Sequence, residues 1–91
     1  MLSLYTAYDV QLELKDHIKA LRKQQKLSVI ALAQKSGVPV STIRKFEEQG
    51  NISFRQFLML MEATGQLNKV RQLSVKEEFE PTSIEEVLKD A

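Results

Sequence analysis

The chain has 91 residues, no cysteine and a net charge of +1. Such a length makes one domain with at most a short extension, and the lack of cysteine excludes a disulfide framework and a thiolate zinc site. No apolar run is long enough to span a membrane, and Met1-Leu2-Ser3-Leu4-Tyr5 lacks the basic region of a secretory signal, so a cytoplasmic protein is expected.

The small net charge hides a segregation. Residues 1–14 carry Asp9 and Glu13, a net of −2. Residues 15–50 carry eight Lys or Arg against Asp16, Glu47 and Glu48, a net of +5. Residues 51–73 are +2, and residues 74–91, with six acids against Lys76 and Lys89, are −4. The basic block suits a phosphate backbone; the acidic end suits solvent or a basic partner.

Residues 1–9 show no clear periodicity, and Tyr5 and Tyr8 either pack on the domain or stay mobile. Helical spacing starts near Val10 and continues through Leu14, Ile18 and Leu21, predicting a helix that ends near Lys26. Ser28 is a suitable N-cap for a second helix carrying Ile30, Leu32 and Ala33. Gly37 supplies a positive φ that closes a tight turn, and Pro39 fits the first turn of a third helix.

In these two short helices, Leu32, Ala33, Val38, Ile43 and Phe46 point inward. Val40, Ser41, Thr42, Arg44 and Lys45 remain on the outside of the second. This is the pattern of a helix-turn-helix, whose second helix ordinarily enters the major groove of DNA.

Gly50-Asn51 breaks the chain again, and Ser53-Phe54-Arg55-Gln56 matches a capping box. The helix it opens is unusually apolar. A single buried stripe takes Phe54, Phe57, Leu58 and Met61 and leaves Met59 and Leu60 on other faces. Either the helix is wedged centrally in the core, or its surplus apolar surface meets a second copy or a partner. Gly65 ends it. Leu67, Val70 and Leu73 predict one more short helix or a strand.

Residues 74–82 read as an acidic linker with Glu77, Glu78, Glu80 and Pro81, most simply solvated. Ser83-Ile84-Glu85-Glu86 is another capping box, and Ile84, Val87 and Leu88 form a small apolar face. A helix this short is marginal unless it docks. The expected organisation is a DNA-binding domain over 1–73, with its core at about 10–73, followed by the extension 74–91.

The pattern Arg22…Leu27-Ser28…Leu32-Ala33…Gly37-Val38…Ser41-Thr42-Ile43…Phe46-Glu47 resembles the Xre/Cro-type helix-turn-helix family of phage repressors and antitoxins. The resemblance spans roughly residues 15–65. It implies an all-α, five-helix, Cro/lambda-repressor-like domain that binds operators as a homodimer. It also implies a structural ion pair between Arg22 and Glu47, locking the reading helix to the scaffold. Gly50-Asn51-Ile52-Ser53-Phe54-Arg55-Gln56-Phe57-Leu58 and Thr64-Gly65-Gln66-Leu67 look most like HipB-like antitoxins, which pair with HipA-like kinase toxins. The family often places Gln where Val29 stands and a polar reader where Val40 stands. Val40 is still suited to a thymine methyl.

The candidate DNA-binding residues are Ser28, Gln34, Lys35, Val40, Ser41, Thr42, Arg44 and Lys45. Arg44 and Lys45 suit guanine edges or phosphates; the alternative is ordinary solvated charge. Ser41 and Thr42 either reach DNA or cap their helix. Gln34, Lys35 and Lys26 flank the unit and suit phosphates. Ser28 is first a cap, with a phosphate contact open to it. His17, the single histidine, has no companions at ligand spacing. Met59 and Met61 are core fillers. No nucleophile–base pair, metal set or phosphate-cradling glycine loop appears, so neither an enzyme nor a cofactor is expected.

The expected function is a sequence-specific DNA-binding repressor, in the setting of an antitoxin-type autorepressor of a toxin–antitoxin operon. Its partners are then double-stranded operator DNA, a second copy of itself, and a HipA-like kinase toxin or accessory protein. The alternatives are a phage or plasmid repressor without a toxin, and a protein-interaction module that kept the fold without reading an operator.

Overall fold

A computed structural model describes residues 4–75. The acidic linker from Lys76 onward and the helix expected from Ser83 lie outside the described residues. The elements are α1 (Ala7–Gln24), α2 (Val29–Ser36), α3 (Val40–Gln49), α4 (Phe54–Ala63) and α5 (Leu67–Arg71), followed by a 3-10 turn at Gln72–Ser74. Every described element is helical, and the order is that of the all-α, Cro/lambda-repressor-like fold.

α1 begins three residues before the apolar spacing does. Thr6 is its N-cap: the Asp9 N–H donates to Thr6 Oγ1 at 3.1 Å, and the Thr6 N–H donates to Asp9 Oδ2 at 3.0 Å. This reciprocal capping box starts the helix at Ala7 rather than Val10. α1 also stops earlier than expected, at Gln24, because Lys26 takes a left-handed φ of 59°. There the Leu27 N–H donates to the Arg22 carbonyl at 3.0 Å, closing the end of the helix.

α2 starts on Ser28, whose Oγ accepts the Ala31 N–H at 3.0 Å. Gly37, with φ +80°, ends it and turns the chain. Pro39 then stands just outside α3 as its N-cap, one position earlier than its expected place in the first turn. α3 packs against α1 and α2, and α4 packs against α2 and α5.

The core is Ile18 of α1, Leu32 of α2, Val38 of the turn, Ile43 and Phe46 of α3, and Leu60, Met61 and Ala63 of α4. Phe46 and Phe57 meet edge to face with ring centroids 6.1 Å apart. The register of α4 differs from the expected stripe. Leu60 is fully buried, Phe57 and Leu58 are half-buried, and Phe54 is 73% exposed. The turn after Gly50 sets the rotation of α4, so Leu60 turns into the core and Phe54 projects from the first turn. Val29 is also explained: it packs against the core instead of facing outward.

α1 is tied to the rest by three polar side chains at intervals along one side. Gln11 Nε2 donates to the Gly50 carbonyl at 2.7 Å, and Gln25 Nε2 donates to the Thr64 carbonyl at 2.9 Å. Between them lies Arg22, which bonds Glu47.

Candidate nucleic-acid interface

The position of α3 is set from behind. Ile43 and Phe46 anchor its inner face in the core, and Glu47 on the same face meets Arg22. Arg22 Nε donates to Glu47 Oε2 at 2.7 Å and Arg22 Nη2 to Oε1 at 3.0 Å, a two-bond fork. Arg22 Nη1 also donates to the Leu27 carbonyl at 2.9 Å. The hydrogen bonds to the carboxylate hold the guanidinium above its ordinary pKa. The arrangement joins α1, the α1–α2 turn and α3 in one rigid corner.

With Glu47 satisfied internally, the exposed charges of α3 are Arg44, Lys45 and Glu48, a net of one positive charge. Its exposed cations, Arg44 and Lys45, are left without that carboxylate as a neighbour. Ser41 is exposed and Val40 and Thr42 are half-buried. None of the Ser or Thr hydroxyls caps α3, because the capping position is Pro39, which has no side-chain oxygen. The N–H groups of the first turn therefore keep their donor capacity at the end of the helix where the dipole is positive. An anion or a base-edge acceptor suits that end.

Ser41, Thr42 and Lys45 line one side of a shallow groove of about 430 Å³. The other side comes from the α3–α4 turn and the first turn of α4: Asn51, Ser53 and Gln56. In the sequence these three mark a chain break, a capping box and part of the HipB-like resemblance, with no DNA-facing role. The box itself is incomplete. The Gln56 N–H donates to Ser53 Oγ at 3.1 Å, but the Gln56 side-chain oxygen accepts from that hydroxyl, not from the Ser53 N–H. Gln56 Nε2 therefore keeps both its donors for the groove. Asn51, directly after a glycine and before a cap, was the available signal for a polar residue beside the reading helix.

Arg44 and Val40 are outside this groove, on α3 itself. Ser28 caps α2 and Gln34 and Lys35 lie on it, all three exposed, and none of them lines the groove. Ser28 Oγ accepts as a cap while its O–H stays available to donate. Among the described residues no group of three His, Cys, Asp or Glu is placed to hold a metal ion.

A short helix, a glycine-closed turn and a second helix with a polar outer face, braced on a scaffold helix, define a DNA-binding helix-turn-helix domain. The helix-turn-helix family model matches residues 18–67, and the chain belongs to that family, in its Xre/Cro type. No curated protein and no solved structure matches it. The family is one of DNA-binding transcription regulators. No helix among the described residues is long and apolar enough to cross a membrane.

Proposed function

We propose that the protein is a sequence-specific repressor that reads its operator as a homodimer, with α3 in the major groove. Arg44 and Lys45 contact guanine edges or phosphates, and Ser41, Thr42 and Val40 meet base edges near the N-terminus of the helix. Ser28, Gln34 and Lys35 hold the flanking backbone. A two-fold dimer reads half-sites about 34 Å apart. The observation that carries this reading is the Arg22–Glu47 fork, which takes one of the two acids of α3 inside and leaves Arg44 and Lys45 exposed against Glu48 alone.

The biological setting we read is autorepression in an antitoxin-type operon, with a HipA-like kinase toxin or accessory protein as partner. Its support is the likeness of residues 50–58 and 64–67 to HipB-like antitoxins.

A fluorescence-anisotropy titration with DNA from just upstream of the gene tests the operator reading. It needs a scrambled duplex as control, at one stated physiological salt concentration. A strong preference for the upstream DNA is expected. Equal, weak binding to both duplexes overturns the reading. Co-purification with the product of the adjacent gene tests the partner, and its absence removes the antitoxin setting alone.

A further inference from the structure

Two apolar hollows adjoin each other at Phe54, the larger of them also meeting the groove beside α3 at Ile52. The larger, about 680 Å³, has Val10 and Leu14 of α1 on one side and Phe57 on the other. The smaller, about 360 Å³, lies between α4 and the end of the described chain. Its lining includes Phe54, Leu58, Leu67, Val70, Arg71 and Leu73. Phe54 is 73% exposed and Leu73 is 85% exposed, so its walls stand open to water. Adjacent large apolar side chains left open in this way mark a surface that something covers.

We propose that the chain's own segment 83–91 docks in this α4–α5 hollow, with Ile84, Val87 and Leu88 against Phe54, Leu58 and Leu73. Ser74, also in the lining, is one residue from Val75, where the described chain stops. The seven residues 76–82 reach at most about 25 Å, so the segment is delivered close to the hollow. Tethering of that kind gives an effective concentration on the order of millimolar, enough for a contact that is weak between separate molecules.

The chemistry of the two surfaces matches. Ile84, Val87 and Leu88 fall at i, i+3 and i+4, one apolar strip of a helical turn. Glu85, Glu86 and Asp90 flank that strip against a single Lys89. Arg71 lines the hollow, and Arg55 and Lys69 stand on the two helices that form it against one acid, Glu62 of α4, a net of +2. The larger hollow offers the opposite charge, since the adjoining part of α1 carries Asp9 and Glu13. An acidic segment is repelled there and attracted to the α4–α5 hollow.

The absence of cysteine makes a direct test possible. Ala91→Cys in the full chain accepts a single nitroxide label, and its effect is read on the amide signals of the ¹⁵N-labelled protein. Docking predicts that Leu58, Val70 and Leu73 lose intensity several-fold relative to Ser41 and Arg44. Adding Ile84→Asp and Leu88→Asp restores those signals. Loss centred on Ser41, Arg44 and Lys45 overturns the proposal and places the acidic segment on the DNA face. In a mixture of nitroxide-labelled, unenriched chains with unlabelled ¹⁵N chains, loss at the hollow also overturns it, because the docked segment then belongs to a second copy. Uniform intensities across the domain overturn it as well.

Discussion

Arg22 and Glu47 are joined by two hydrogen bonds, at 2.7 and 3.0 Å, across 25 residues of chain. Their side chains are only 11% and 8% exposed. Removing one partner leaves the other charge enclosed, which costs about 3–5 kcal/mol for a buried pair. Arg22→Ala is therefore expected to lower the melting temperature by roughly 12–40 °C, at the 4–8 °C per kcal/mol usual for a domain of this size. Arg22→Met with Glu47→Leu should recover most of that loss, since neither charge is then stranded. A calorimetric scan checks both, and an unchanged Tm for Arg22→Ala refutes the structural role of the pair.

The cations of α3 divide by their chemistry. Arg44→Ala is expected to cost about 1–3 kcal/mol on the operator and to relax discrimination at one base pair. Lys45→Ala, if it serves a phosphate, weakens all duplexes alike and lowers the salt slope of log Kd by about 1. Both variants should keep the parent's melting temperature, because both side chains are exposed. Anisotropy titrations at several salt concentrations separate the two roles.

The register of α4 yields a contrast between two apolar residues. Leu60 is fully buried and Phe54 is 73% exposed. Leu60→Ala should destabilise the domain by about 2–5 kcal/mol. Phe54→Ser should cost clearly less than that, because Phe54 takes no part in the core. Urea unfolding of the two variants decides the matter, and equal losses would mean that α4 is rotated from its described position.

Gly50 is held at φ +82°, and a Cβ built there stands 3.4 Å from Cγ and Nε2 of Gln11. Gly50→Ala should cost about 1–2 kcal/mol for the left-handed backbone alone. Displacing Gln11 adds the loss of its 2.7 Å bond to the Gly50 carbonyl. Gly65, at φ +80°, has open space where a Cβ would go, so Gly65→Asn should be the milder change. Denaturation midpoints of the two variants provide the comparison.

The first turn of α1 carries an acid-sensitive cap. The Thr6 N–H, and then its hydroxyl, hold the Asp9 carboxyl below its ordinary pKa. A depressed carboxyl stabilises the folded form above the unfolded value, about pH 4, and that contribution disappears as pH falls through the lowered folded value. The amides of Tyr8 and Asp9 should therefore shift toward frayed positions in acid, below the ordinary carboxyl range. Asp9→Asn should abolish that titration, and a titration that persists in it would assign the effect to another group.

Much of the fold was legible in the chain because its signals are local. Ser28, Gly37 and Gly50 mark where helices start and stop by their own backbone and side-chain chemistry. Leu32, Val38, Ile43 and Phe46 repeat at intervals that only a packed helix pair satisfies. The candidate reading residues followed from the same periodicity, since Ser41, Arg44 and Lys45 are what the buried stripe of α3 leaves over. The Thr6–Asp9 box is equally local, but it lies outside the apolar spacing that marks the rest of α1.

What no local pattern determines is the rotation and neighbourhood of one helix relative to another. α4 is apolar nearly all round, so its sequence does not select a buried face. The Gly50 turn and the packing of α2 and α5 make that choice, turning Leu60 inward and Phe54 outward. Val29 is apolar because the core takes it, a reason visible only once α1, α2 and α3 are assembled. Asn51, Ser53 and Gln56 join Ser41, Thr42 and Lys45 in one groove through the same turn. Sequence by itself determined which segments are helices and which residues of each are apolar; the tertiary structure decided which faces meet, because burial depends on the sum of contacts from elements distant in the chain.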